Sequence, residues 1–294
     1  MARKDRRSDS EVARLDGNRG SKILAGLTKG SGGRGVAIAL LSTAVVLTVV
    51  VVLVVRSPGW DEVKQAFFSR DQFEKSFPDI LSAFWTNVKI FLIAEVFILV
   101  LALGIAVLRS LPGPVFFPLR ALAVVYVDLF RGVPTVLVIY ILGFGIPALQ
   151  LQGVPISPLF WGTVALVVVY SAYVSEVYRA GIESIHPSQA AAARSLGLTH
   201  GQALRHVVVP QAVRRVIPPL LNDFIGLQKD TALVALLGVV EAFRQSQIEV
   251  AATFNYTPYL ATALLFVLIT IPMARFTDWL LARDKRRQLA GDLR

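Results

Sequence analysis

Residues 184–210, SIHPSQAAAARSLGLTHGQALRHVVVP, lie between two hydrophobic segments that are each long enough to cross a bilayer. The stretch itself is too basic and too rich in small residues to cross one. Its alanine-rich run favours a helix up to Gly197, because glycine readily adopts the left-handed conformation that ends a helix. Thr199 and Gln202 have the spacing of a capping box for a second short helix, and Pro210 cannot continue that helix. The pattern therefore predicts two short helices bent at a glycine on a membrane surface, a shape suited to contact with a soluble partner.

The composition is that of a membrane protein. The 294 residues are 54% hydrophobic and only 17% charged, whereas a soluble domain carries about a quarter charged residues. The net charge of +10 is carried by the segments between the hydrophobic runs, which argues against nucleic acid as a partner. Cysteine is absent, so disulfides and thiolate metal sites are excluded. All three histidines fall within 184–210 with Glu183 as the nearest carboxylate, so we expect surface or capping histidines and no metal site.

Six hydrophobic stretches have the length of membrane-spanning helices. The first runs from Val36 to Val55 without a charge, and it is too long for a signal peptide and lacks a small-residue cleavage site after it. The other five lie at about residues 84–108, 119–144, 159–178, 213–240 and 257–281. The sequence therefore predicts an all-α polytopic membrane protein with six transmembrane helices.

The distribution of Lys and Arg predicts the orientation of these spans. With the N-terminus in the cytoplasm, the inner segments hold 21 Lys and Arg and the outer segments hold 5. This bias is the one that the positive-inside rule expects. Both termini and the stretch 184–210 should then face the cytoplasm.

Polar residues in the fifth span form a candidate translocation path. Lys229 should lie past the bilayer midpoint, where a charge is costly unless it faces protein or water. Its neighbour Asp230 either pairs with it or lines the path beside it. Pro218-Pro219 favours a broken helix, whose free backbone groups are tolerated where they line a cavity. Asn222 lies two turns before Lys229 on the same face, and Asp223, Gln228 and Thr231 add polar groups to this segment.

Arg131 in the third span is a second candidate for the path. Its guanidinium either binds a substrate carboxylate or pairs with Asp128 one turn earlier. The span is also interrupted by Pro134. The complete set of candidate path residues is Arg131, Pro134, Asn222, Asp223, Gln228, Lys229, Asp230 and Thr231.

Several spaced motifs resemble those of ABC-importer permease subunits. Ala192, Ala193, Gly197 and the terminal residues 207–210 fall where the "EAA" signature of that family places its Ala-Ala, Gly and Ile-x-Leu-Pro. At the position of the signature glutamate this chain has Ala191. Further motifs are similar to the polar amino-acid permeases of the histidine/glutamate/glutamine type: FRGVPT at 130–135, PQA at 210–212, PPL at 218–220, Asn222 and KDTALV at 229–234. The resemblance covers roughly residues 78–288.

The resemblance implies a subunit of a type I importer in the inner or plasma membrane of a prokaryote. Five spans would form the permease core, with one extra N-terminal helix. The expected partners are a second permease, identical or paralogous, a dimer of ATP-binding subunits, an extracytoplasmic amino-acid-binding protein and membrane lipid. The cargo would be a polar amino acid, with glutamate or glutamine favoured. ATP and Mg would be bound by the partner ATPase, and no cofactor by this chain.

Within that resemblance the stretch 184–210 would be the cytoplasmic coupling helices that contact the ATPase. Its candidate coupling residues are Pro187, Gln189, Ala191, Ala192, Ala193, Ser195, Leu196, Gly197, Leu198 and Gly201. The chain itself has no GxxxxGK[ST] phosphate loop, so we expect no enzyme activity from it. The stretch 184–210 would be a cytoplasmic loop of the transmembrane core.

The organisation that we expect has five segments. A basic flexible cytoplasmic arm (1–35), either lipid-binding or simply solvated, precedes the extra transmembrane helix (36–56). An extracytoplasmic amphipathic segment (57–83) lies at the interface or contacts a substrate-delivering partner. The permease core (84–282) contains the coupling loop 183–210, and a basic cytoplasmic tail (283–294) follows.

Two other classes of protein stay open. A proton-coupled secondary transporter would use the same intramembrane charges but would not need the bent cytoplasmic helices. A polytopic enzyme acting on lipid would need clustered Asp, His or Arg at one membrane face, and the sequence offers no such cluster. Co-purification with an ATPase subunit distinguishes the three.

Overall fold

The computed structural model describes residues 33–111 and 113–291. The chain divides into two compact units, with the boundary after Lys64. In the first unit, helix α1 (Gly33–Val55) is apolar on all sides, and every side chain from residue 37 to 55 is exposed. A helix that is hydrophobic all round is typical of a membrane span. The basic arm predicted at 1–35 lies almost entirely outside the described residues.

The remaining helices follow one another in chain order. They are α2 (Trp60–Phe67), α3 (Arg70–Ser110), α4 (Phe117–Gly132), α5 (Thr135–Tyr140) with a π-helical turn Ile141–Gly145 and α6 (Ile146–Ala148), α7 (Pro158–Glu183), α8 (Pro187–Ser195), α9 (His200–Ala203) with a π-helical turn Leu204–Val208, α10 (Val209–Asp230) with a 3₁₀ helix Thr231–Leu237, α11 (Ala242–Thr253) and α12 (Thr257–Gly291). The described part of the chain contains no strand, so the predicted all-α class is confirmed for it.

Within the described ranges, four helical stretches are long and apolar enough to cross a membrane. They are 37–55, 60–110, 158–183 and 257–283, and a bent pair, 117–132 with 135–148, makes a fifth if it counts as one span. The remaining predicted span, the fifth, corresponds to α10, which has 22 residues but carries five charged side chains. α10 is therefore long enough to cross a membrane, but its charged residues distinguish it from the apolar helical stretches given above.

Helix boundaries differ from the prediction at the second and sixth spans. The second was expected from residue 84, but α3 already begins at Arg70, where the Ser69 hydroxyl accepts the Gln72 N–H and caps the helix. Ion pairs one turn apart, Arg70 with Glu74 and Lys75 with Asp71, accompany its first turns. At the other end of the chain, α12 continues as helix to Gly291, into the predicted tail.

The prolines act differently from what the sequence suggested. Pro134 does break the third span: Val133 is extended, as a residue before proline prefers, and the flanking helices bend by 107°. Pro218 and Pro219, in contrast, lie inside an unbroken α10, so the predicted break there is wrong. The expected end before Pro210 is also wrong, because helix runs without interruption from α9 through the π-helical turn into α10. The wide π turn relaxes the clash that a proline ring makes with the preceding turn of an α-helix.

Close packing of α3 against α7 forms the centre of the second unit. Ile90, Ala94 and Ile98 recur at helical spacing on α3 and pack with Leu166 and Val169 of α7. Alanines in both helices let the backbones approach closely, which increases van der Waals contact where lipid offers no hydrophobic driving force. This core holds α3 and α7 together, and both helices also carry buried polar residues such as Asn87 and Ser171.

A buried polar cluster, here the Asn87 cluster, ties α3 to the other end of the chain. The Asn87 amide nitrogen donates to Thr231 Oγ1 (3.1 Å) and Glu241 Oε2 (2.7 Å), and its oxygen accepts the Ala242 N–H (3.1 Å). Glu241 in turn caps α11 through the N–H groups of Phe243 and Arg244. Burial raises the pKa of Glu241, although these donors oppose the shift.

Replacing Asn87 by leucine should destabilise the fold by about 2 kcal/mol, because the buried Glu241 carboxylate loses one of its donors and the buried Ala242 N–H loses its acceptor. Thermal unfolding of the purified variant in detergent measures the effect. The matched control is Ser82→Leu, an exposed position on the same helix, for which we expect an unchanged midpoint. Equal midpoints for both variants would show that the Asn87 cluster contributes nothing to stability.

Candidate functional site

A cleft between α4, α7 and α10 gathers charged side chains at one end of the bundle. Its volume is about 430 Å³. Arg131 lines it from the end of α4, Tyr173 and Glu176 from α7, and Arg215 and Asp223 from α10. The cleft extends to Ser184, where the stretch 184–210 begins. The sequence-predicted residues Arg131 and Asp223, which are 92 positions apart, therefore lie in one cleft.

Asp223 is the acceptor in this cleft that the fold leaves free. Its Oδ2 is buried and has no hydrogen-bond partner among the described residues. Glu95 of α3 is close enough to Asp223 to interact with it electrostatically. An unsatisfied buried acceptor is costly, and a cationic group entering the cleft would relieve that cost.

Arg131 lies on the aromatic face of Tyr173 rather than beside Asp128. Its guanidinium carbon is 5.8 Å from the centre of the Tyr173 ring, which is within the range of a cation–π contact. Among the ion pairs of the described chain, none involves Arg131 or Asp128. The alternative in which Asp128 neutralises Arg131 is therefore wrong, and the exposed guanidinium keeps its donors.

Glu176, in contrast, is held by two arginines. Arg109 at the end of α3 contacts Glu176 Oε1, and Arg179 Nη2 lies 2.6 Å from Glu176 Oε2. Arg179 also reaches Glu183 at 2.5 Å. This chain of ion pairs joins the ends of α3 and α7 beside the cleft.

The other predicted path residues of α10 divide into two groups. Asn222 and Lys229 are exposed, two turns apart on one face, whereas Asp230 accepts a hydrogen bond from the Tyr170 hydroxyl at 2.8 Å. Lys229 therefore does not pair with Asp230. Gln228 and Thr231 are buried: Gln228 accepts from Thr270, and Thr231 belongs to the Asn87 cluster.

The stretch 184–210 contains a short helix, α8, and the predicted bend at Gly197, but the helix after the bend continues from α9 into α10 instead of ending before Pro210. Gly197 has φ +92°, and the N–H groups of Gly197 and Leu198 donate to the carbonyls of Arg194 (3.0 Å) and Ala193 (3.3 Å). This pair of bonds is the Schellman motif that ends many helices. The capping box of Thr199 and Gln202 that the sequence predicted is also present.

Side chains of the bend present one apolar tip on a basic surface. Leu196 is 82% exposed, whereas Ala193, three residues earlier, is buried. From residue 184 to 222 the sequence holds four arginines and no acid. His186 caps α8 by accepting the Ser188 N–H, and the other two histidines are exposed, so the prediction of capping and surface histidines is confirmed.

The two ends of this stretch are fastened to the spans. Arg215 Nη1 donates to the Ser184 carbonyl oxygen at 2.5 Å. Gly181 permits α7 to approach α10, since a Cβ there would clash with a methyl of Val216. The stretch 184–210 is therefore held against α7 and α10, two walls of the cleft.

Sequence reasoning missed Tyr170, Tyr173 and Arg215 as members of this region. Tyr170, Tyr173 and Glu176 recur every three residues in an otherwise apolar span, and this polar stripe at helical spacing is a signal that was available. Arg215 gave no signal, because only the folded chain brings it to the Ser184 carbonyl.

Residues 111–286 match the family "binding-protein-dependent transport system inner membrane component". The chain is 35% identical over 182 residues to the probable glutamine ABC transporter permease protein GlnM of Bacillus subtilis, covering 62% of this chain and 82% of that protein. It is 31% identical over 207 residues to the glutamate transport system permease protein GluC of Corynebacterium glutamicum, covering 67% and 90%. The crystal structure of an amino acid ABC transporter with histidines superposes with a TM-score of 0.65 at 29% identity, over 74% of this chain and 98% of that one.

Proposed function

Because the chain belongs to the family of binding-protein-dependent transport system inner membrane components, we propose that it is the permease subunit of an ATP-driven amino-acid importer. The cleft beside Ser184 is the inner part of the translocation path, and the stretch 184–210 couples it to a separate ATPase. One observation carries the proposal: Arg131 and the unpaired Asp223 share a cleft that ends where the bent helices begin.

The chemistry of the cleft suits a zwitterion. A guanidinium binds a carboxylate through two parallel hydrogen bonds, and a carboxylate with a free oxygen binds an ammonium group. Arg131 and Asp223 supply these two groups, so the cleft accommodates the backbone of an amino acid without selecting its side chain. Glutamate or glutamine is the proposed cargo, because GlnM and GluC are named for these two amino acids.

The exposed polar stripe on α10 supports a second permease subunit. Lys229 is exposed although it lies within a helix of the bundle, and a cation facing hydrocarbon costs about 2.5–3.5 kcal/mol at a helix centre. A second permease, identical or paralogous, would cover Lys229 and Asn222 and give them a polar passage to face. The proposed topology has six spans and places both termini in the cytoplasm, as the distribution of Lys and Arg predicts.

The ATPase is proposed to dock on the bend. Leu196 would enter an apolar pocket of the ATP-binding subunit, and the surrounding arginines would face carboxylates of that subunit. ATP and Mg are bound by that partner, and no cofactor by this chain. Because Ala191 is exposed and carries no charge, the attraction would come from the arginines rather than from a glutamate at that position.

Substituting Leu196 by serine should weaken binding of the ATP-binding subunit about tenfold or more, because a buried leucine contributes roughly 1.5–3 kcal/mol. The amount of ATP-binding subunit that co-purifies with the variant measures this. Leu149→Ser, at an exposed leucine in the connection 149–157 between α6 and α7, is the matched control and should co-purify normally. Equal co-purification of both would argue against docking on the bend.

Amino-acid stimulation of ATP hydrolysis tests the function itself. The permease is purified with its ATP-binding subunit and binding protein, and each amino acid is added in turn. We expect glutamate or glutamine to stimulate hydrolysis most. If uptake instead followed a proton gradient and needed no ATP-binding subunit, the chain would be a proton-coupled secondary transporter.

A further inference from the structure

An apolar groove lies at the end of the bundle opposite to the stretch 184–210. Its volume is about 700 Å³. The start of α3 and the end of α2 form one side, and the first three turns of α12 form the other. Apolar side chains that line the groove include Phe67, Phe73, Leu260, Leu264 and Val267. This groove is separate from the charged cleft and has no role in the proposed transport cycle.

The groove has a polar mouth. Helices α3 and α12 both begin at this end, and the Ser69 N–H donates to Thr257 Oγ1 at 3.0 Å. Arg70 lines the mouth with 91% of its side chain exposed, and Glu74 accepts from it at 2.7 Å. Because that pair is exposed, the guanidinium has further donors available to a second anionic group.

Below this mouth the groove becomes apolar. Along α12, Leu260, Leu264 and Val267 follow Thr257 over ten residues, which is about 15 Å of helix. Phe73 lies one turn into α3 on the facing side. Polar groups at the mouth and apolar side chains along a trough of this length match the two parts of a phospholipid.

The groove is continuous with a surface that faces hydrocarbon. Leu264 and Val267 are exposed, and the exposed apolar strip continues along α12 through Leu268 and Ile271. In a membrane a groove on such a surface is bordered by acyl chains, and an empty one would lose dispersion contacts along its walls. We propose that it holds one acyl chain of a phospholipid, with the headgroup phosphate beside Arg70.

Lipid bound to the purified importer tests this site. Ala263→Trp places a large side chain in the groove, since Ala263 lines it and is exposed. The matched control is Ile271→Trp, which adds the same ring to the same helix outside the groove. Native mass spectrometry after detergent exchange should show one phospholipid fewer on the Ala263 variant, with the Ile271 variant unchanged. Equal phospholipid occupancy in both variants would overturn the proposal.

A second experiment uses the unaltered chain and keeps the proposal testable if Ala263→Trp does not fold. A phospholipid with a photoactivatable group near the middle of one acyl chain is reconstituted with the importer and irradiated. We expect adducts concentrated on residues 67–74 and 257–267, whichever lipid headgroup the probe carries. Adducts spread evenly over the exposed apolar strip would show ordinary bilayer contact and refute a defined site.

The position of the phosphate is tested by comparing probes with anionic and zwitterionic headgroups. Preference for the anionic lipid that is lost in Arg70→Gln would support a phosphate beside Arg70, and an unchanged preference in that variant would refute it.

Discussion

Replacing Gly197 by proline is expected to abolish amino-acid uptake while leaving membrane insertion and the folded spans intact. Gly197 has φ +92° and donates its N–H to the Arg194 carbonyl. Proline has no N–H and fixes φ near −65°, so it removes the bond and the conformation together. The bend would then reorient Leu196, and the ATPase would lose its contact with the spans. We expect at least about a hundredfold loss of uptake, which corresponds to about 3 kcal/mol.

Two companion variants separate the bend from general damage. Gly197→Ala keeps the N–H and meets no atom within 4 Å, but it must adopt positive φ, at a cost of about 1–2 kcal/mol. We therefore expect partial uptake. Gly104→Ala lies in helix α3, far from the bend along the chain and in open space, and should transport normally. The measurement is ATP-driven uptake of labelled glutamine or glutamate by proteoliposomes that contain all subunits. Full uptake by Gly197→Pro would contradict a role for the bend in coupling.

Removing the charge of Asp223 is expected to have the second largest effect. In Asp223→Asn the shape of the side chain is kept, but the charge-assisted hydrogen bond to a substrate ammonium is lost. Such bonds contribute about 1.5–3 kcal/mol, so initial uptake at low substrate concentration should fall about 10- to 100-fold. The same range applies to Arg131→Gln at the carboxylate end of the substrate.

The control for both is Asp278→Asn. Asp278 is exposed and lies 3.8 Å from Arg275, in a pair of the kind that contributes little. Uptake by this variant should equal that of the unaltered protein, and all three variants should bind the ATP-binding subunit equally. If Asp223→Asn transports at the normal rate, the cleft is not the substrate path.

The bend of 184–210 was predictable because its determinants are local. A helix stop at Gly197 and a capping box at Thr199 depend on residues within one turn, and the structure has both. The interruption at Pro134 follows for the same reason. Pro210 and Pro218 misled the prediction, because packing around α10 and a π-helical turn can accommodate a proline that would break an isolated helix.

The candidate path was only partly predictable. Helical periodicity placed Asn222 and Lys229 on one face, and both are exposed. It did not reveal that Thr231 is buried, because its partner Asn87 is 144 residues away. Burial of a polar side chain depends on which helix packs on it, and one sequence contains no record of that pairing. The lipid groove also arises only when α3 and α12 lie side by side.

Cross-linking from residue 196 tests the central claim most directly. The chain has no cysteine, so Leu196→Cys introduces a single thiol, to which a photoactivatable maleimide is attached in membranes that hold the whole importer. Irradiation is predicted to join this residue to the ATP-binding subunit. The same thiol at Phe254, an exposed position in the connection between α11 and α12, is predicted to form no such adduct. An adduct of residue 196 with the extracytoplasmic binding protein, or a link to the ATP-binding subunit from residue 254 alone, would contradict the account.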